Sequence, residues 1–126
     1  DGSNGTELWK SNGTSSGTVM VKDINSGPGG SSPAKMTAIG SMIFFEADDG
    51  TYGDELWRTD GTSNGTVLVT DINPNSANSD PGGFLLIGDM LCFSATDGAS
   101  GIELWSVEVG PSGNIVAPGH VEVIFS

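Results

Sequence analysis

The chain has 126 residues and a formal net charge of −12, with Lys10, Lys22, Lys35 and Arg58 as its only basic side chains. A chain of this length suits one modest domain. The charge leaves no basic stripe for phosphates or anionic lipid headgroups. No apolar run reaches the length of a membrane-spanning helix. The chain opens on Asp rather than Met, so the lack of a visible signal peptide carries no information about secretion.

In chain order, the first feature is the string "DGSNGTELW" at 1–9. It returns as "DGTYGDELW" at 49–57 and "DGASGIELW" at 97–105, placing Glu7, Glu55 and Glu103 at intervals of 48 residues. A fixed interval of this size is a repeat signature. Units 1–48 and 49–96 align without a gap, and the third, 97–126, departs from them after Trp105. The 20 glycines fall between short apolar runs, which reads as turns in a β protein rather than disorder.

Each full unit contains four strand candidates. They are "ELWKS" or "ELWRT", "GTVMVKDI" or "GTVLVTDI", "AKMTAIG" or "GFLLIG", and "MIFFEA" or "MLCFSA". Alternation places Val19 and Val21 on one face. Between the first two strands, "NGTSSG" or "DGTSNG" supplies the Asn-Gly or Asp-Gly that favours positive φ. The third unit supplies "ELWSVEV" and an alternating "HVEVIFS". No segment carries helical periodicity. The expected fold is therefore all-β, with tandem four-stranded antiparallel meanders resembling propeller blades at a 48-residue period. A meander cannot bury its apolar face alone, so neighbours must stack. Trp9, Trp57 and Trp105, one per unit, are expected to pack between neighbouring sheets.

At "ELWRTDGTSNGT" the sequence resembles a repeat family with an ELW-x-x-DGT core. Glu55, Leu56, Trp57, Asp60, Gly61 and Thr62 match that core in full. The first copy has Asn12 in place of the Asp, and the third keeps Glu103, Leu104 and Trp105. The resemblance extends from residue 1 to about residue 106. It implies large secreted or surface proteins, mostly bacterial, with propeller-like blades, and it does not imply an enzymatic activity.

Candidate sites follow from residue type. Asp48, Asp49, Asp54 and Glu55 offer oxygen ligands to a Ca²⁺ ion, the one cofactor considered, although their spacing is not that of an EF-hand. Asn4, Asn12 and Asn64 head N-x-T sequons on predicted turns and are glycosylation candidates. Asn12 aligns with Asp60, and Asn64 with Ser16, so the turn rather than the sequon is what repeats. Cys92 aligns with Phe44 and reads as a small core residue. A nucleophile pair with His120, the one histidine, would require Cys92 to leave that core. No catalytic constellation emerges.

Closed propellers need four to eight blades, more than this chain holds. The sequence therefore points to an extracellular or cell-surface structural protein, a glycoprotein subunit of a fibre, filament or larger assembly. Self-association would join copies through blade completion or polymerisation, with the tail residues Val121, Val123 and Phe125 as docking candidates. Attached or bound glycans are the other partners considered; nucleic acid and membrane insertion are not expected. The alternative is a glycan- or ligand-binding piece of a larger propeller, with Tyr52 as the first aromatic to test.

Overall fold

The computed structural model describes residues 2–74, 77–99 and 101–109, and the backbone of 121–125. The fold is all-β, with ten strands among the described residues. They are β1 (Leu8–Lys10), β2 (Val19–Lys22), β3 (Ala34–Ile39), β4 (Met42–Asp48), β5 (Asp54–Thr59), β6 (Val67–Thr70), β7 (Gly82–Ile87), β8 (Met90–Thr96), β9 (Ile102–Glu108) and β10 (Val121–Phe125). No helix there is long and apolar enough to cross a membrane.

The strands form three antiparallel sheets. The first sheet has two strands, β1-β2; the middle sheet runs β3-β4-β5-β6; the last sheet runs β7-β8-β9-β10. The described strands close no barrel or ring. The sequence units and the sheets differ in phase. The boundary at 48/49 falls between β4 and β5, which pair from Ile43↔Thr59 to Asp48↔Asp54. The boundary at 96/97 falls between β8 and β9, which pair from Met90↔Glu108 to Thr96↔Ile102.

The tail supplies the fourth strand of its own sheet. β10 pairs with β9 through Val121↔Val107, Val123↔Trp105 and Phe125↔Leu104. The strand Val121–Phe125, named as a docking candidate, is paired along one edge with β9 and forms the edge of its sheet. The side chains of Val121, Val123 and Phe125, and the whole of His120, lie outside the described residues.

Two apolar clusters bind the sheets into a stack. One joins Leu8, Val21 and Ile24 around the first sheet to Phe45, Ala47 and Trp57 of the middle sheet. The other joins Ile39, Met42, Phe44 and Leu56 of the middle sheet to Leu91, Phe93, Ala95 and Val107 of the last. Phe44 and Phe45 are adjacent, so strand alternation sends them to opposite faces, and both are fully buried. The middle sheet is thus covered on both sides. Each such phenylalanine contributes about 1.5–3 kcal/mol by leaving water.

Within β3-β4 and β7-β8 the register slips by one residue, between Ala34 and Thr37 and between Gly82 and Leu85. The residue inside each slip has positive φ: Gly83 at 63° and Lys35 at 57°. Glycine takes this conformation without strain, whereas lysine carries a cost. Lys35 is held there by its ammonium, 2.9 Å from the Glu46 carboxylate and 3.3 Å from the Pro81 carbonyl.

Candidate functional site

The repeated Glu is a buried backbone staple. The Glu7 carboxylate accepts N–H bonds from Ile24 at 2.8 Å and Ser31 at 3.1 Å, and the Ser31 hydroxyl at 2.6 Å. Glu55 accepts from Ile72 N–H at 2.9 Å, Asn73 N–H at 3.4 Å and the Ser79 hydroxyl at 2.6 Å. In each case an acid at the start of a strand gathers the loop that leaves the next strand. Those amides have lost water, and a carboxylate replaces it. Burial drives the Glu55 pKa up to about 7, against the pull of its bonds to Ser79, Ile72 and Asn73; the neighbouring Asp71 charge pushes the same way as burial.

The gathered loops also tie one sheet to the next. Asn25 donates its side-chain N–H to the Gly30 carbonyl, and Asn73 donates to the Asn78 carbonyl. A Cβ on Gly50 would lie 2.8 Å from Asn25 Oδ1, and one on Gly98 would lie 2.7 Å from Asn73 Oδ1. Only glycine leaves room for this approach at the β4-β5 and β8-β9 turns. Backbone bonds from Asp48 N–H to Ser31 O and from Thr96 N–H to Ser79 O, both 2.9 Å, complete the stitching. Sequence reasoning named Glu55 but missed Asn25, Asn73, Ser31 and Ser79. Their identical placement in units 1–48 and 49–96 was the available signal.

The four carboxylates considered for Ca²⁺ do not converge. Asp48 Oδ1 accepts from Gly50 N–H at 2.7 Å, and Asp49 Oδ1 accepts from Thr51 N–H and Tyr52 N–H at 2.8 and 2.9 Å. These two acids shape the turn, while Glu55 points into its staple. Burial raises the Asp54 pKa, helped by the charges of Glu46, Asp48 and Asp80 and opposed by Lys35. Among the described residues no three His, Cys, Asp or Glu side chains are grouped to hold a metal ion.

The "NGT" and "DGT" strings make one kind of turn. Asn12 Oδ1 accepts from Thr14 N–H at 3.1 Å and Thr14 Oγ1 at 2.7 Å. Asp60 Oδ1 accepts from Thr62 N–H at 2.9 Å and Thr62 Oγ1 at 2.6 Å, and these bonds lower the Asp60 pKa. Either residue serves because only a side-chain acceptor is needed. Asn12 and Asn64 are exposed, and Asn4 is half-buried.

The three tryptophans divide. Trp57 is buried between the first and middle sheets, with its indole N–H unpartnered among the described residues. Trp105 packs partly buried against the other cluster, its indole N–H donating to the Ala95 carbonyl at 3.1 Å. Trp9 is 41% exposed, a correction to the expected packing: among the described residues, no sheet covers the outer face of β1-β2. On β2, Val21 is buried and Val19 is exposed.

The last sheet leaves apolar surface open. Leu85 and Ile87 are 60% and 58% exposed. Leu85 pairs with Cys92, and Ile87 with Met90, on the face turned away from the middle sheet. Cys92 is buried and Met90 half-buried. Separately, a groove of about 180 Å³ opens between the first and middle sheets, where two strands fail to cover four. Leu8, Val21, Met36 and Ile43 line it, with Trp9 and Asp60 also contributing. Tyr52 is exposed and not among its lining residues.

No family profile, curated protein or solved structure matches this chain.

Proposed function

We propose that the chain is an extracellular structural module, a subunit of a surface fibre or larger assembly, built from propeller-like blades that stack within and between copies. One observation carries the reading. The middle sheet buries both of its faces, whereas each end sheet buries one and leaves large apolar side chains open on the other. A lone soluble chain rarely exposes such surface without a use for it.

Two further features support it. The staples at Glu7 and Glu55 and the turns at Asn12 and Asp60 are alike, as expected of units made to be added in series. The sequons at Asn12 and Asn64 lie in segments between strands, and that at Asn4 in a turn ahead of β1, where glycans would suit a surface-exposed fibre. The test is sedimentation velocity on the purified chain across concentration and ionic strength. The reading predicts concentration-dependent growth, enhanced by salt that screens a net charge of −12. A monomer under every condition would overturn it.

A second reading, a ligand-binding module, draws on the groove beside Trp9 and Asp60. It predicts saccharide binding that is lost in Trp9→Ala and kept in Tyr52→Ala.

A further inference from the structure

Each contact between sheets sets a strand leucine against a strand tryptophan. Leu8 of the first sheet shares a cluster with Trp57 of the middle sheet. Leu56 of the middle sheet shares the other cluster with Trp105 of the last. The leucine and tryptophan of each strand are adjacent, so they face opposite ways along the stack. Among the described residues, that leaves two members without a sheet opposite them: Trp9 on the outer face of the first sheet, and Leu104 on the outer face of the last.

We propose that a second copy of this chain covers these faces head to tail, the Leu104 face of one copy packing on the Trp9 face of the next. This rests on the assembly reading above and specifies the surfaces and their polarity. The contact would continue the established stack. On the middle sheet, Ile39 pairs with Met42 and Phe44 lies next along that face, all sealed beneath the last sheet. On the last sheet, Ile87 pairs with Met90 and Cys92 lies next along the face, with Ile87 open to solvent. On the first sheet, Trp9 pairs with Met20 as Trp57 pairs with Leu68 on the middle sheet, and that second pair is the one covered by a neighbour.

The order of the pairs sets the polarity: each sheet presents its leucine to the tryptophan of the sheet that follows, so a sheet added in the same sense sets Leu104 against Trp9. Lys10 and Lys22 take no part in this contact, because their ammoniums reach the Gly61 and Thr66 carbonyls on the middle-sheet side. A contact between two different surfaces is heterologous and propagates into a ring or a filament according to the rotation it imposes. Two copies would supply six sheets, within the four to eight of closed rings.

The experiment uses two full-length variants, Trp9→Asp and Ile87→Asp, with Leu85→Asp as a second lesion on the latter face. Unchanged circular dichroism and cooperative melting establish that each is folded. Sedimentation velocity then follows each alone and mixed in equal amounts. Each variant alone should need about 30-fold more protein to associate, the loss expected for a central anchor residue. The mixture should form a 1:1 dimer that grows no further, because one intact face remains on each chain. If the wild type associates but the mixture stays monomeric, or either variant alone associates like the wild type, the head-to-tail contact is wrong while assembly stands. If the wild type never associates, the assembly reading fails as well.

Discussion

The middle and last sheets carry nearly the same face in two environments. Ile39, Met42, Phe44 and Leu56 form one side of the middle sheet, each less than a tenth exposed. Ile87, Met90, Cys92 and Leu104 occupy the matching places in the last sheet, where Ile87 is 58% exposed. Strand pairing alone does not demand isoleucine and leucine at such places, since a solvated face accepts polar residues. The difference teaches that this set of side chains suits a cover, and that among the described residues no sheet covers Ile87 and its neighbours in the last sheet.

The largest test of that comparison deletes the ring beneath the cover. Phe44→Ala should lose about 3–5 kcal/mol in urea unfolding, the range for a fully buried aromatic. Ile87→Ala, on the open face of the last sheet, should lose about 1 kcal/mol or less, because its side chain is already largely in water. Equal losses would mean that the two faces are packed alike.

The staples offer the next contrast. Glu55→Ala strands the Ile72 and Asn73 amides and the Ser79 hydroxyl, and should cost about 2–4 kcal/mol. Glu103→Ala, where no "DIN" loop follows in the sequence, should change unfolding by about 0.5 kcal/mol or less.

Titration sharpens the same point. The Glu55 pKa is raised from 4.5 to about 7, so between those values the folded chain holds the proton more than the unfolded chain does. Stability should therefore fall as pH rises through that window, by at most about 1.4 kcal/mol per pH unit. Urea midpoints for Glu55→Gln should show this slope removed. An unchanged slope would place the titrating group elsewhere.

The smallest effect lies at the turn. Asp60→Asn should leave the melting temperature unchanged, because Asn12 already makes the same bonds to Thr14 that Asp60 makes to Thr62. Asp60→Ala should lower it slightly.

Much of the strand content was legible in the sequence, because turn chemistry and alternation are local. "NGT" and "DGT" mark turns, and "ELW", "MIFFEA" and "MLCFSA" mark strands found at β1, β5, β4 and β8. Partnership was less legible. The pairing of β4 with β5 across the unit boundary depends on which strands meet after a turn, and a repeat can be cut at any phase. The alternating tail reads as a strand, but nothing local names β9 as its partner. The carboxylate of "ELW" reads as a surface acid until the loop ending in Ser31 or Ser79 closes over it. Trp9 and Trp57 have similar local sequence; their opposite burial comes from what lies across the sheet.

The most direct measurement is hydrogen exchange followed by mass spectrometry at low and high protein concentration. Covering a sheet slows the opening that exposes its amides. The account predicts added protection at high concentration in both end sheets, over 8–22 and 82–108, with 54–70 of the middle sheet unchanged. Protection that does not depend on concentration, or that rises only in the middle sheet, would contradict the claim that another copy covers the end faces.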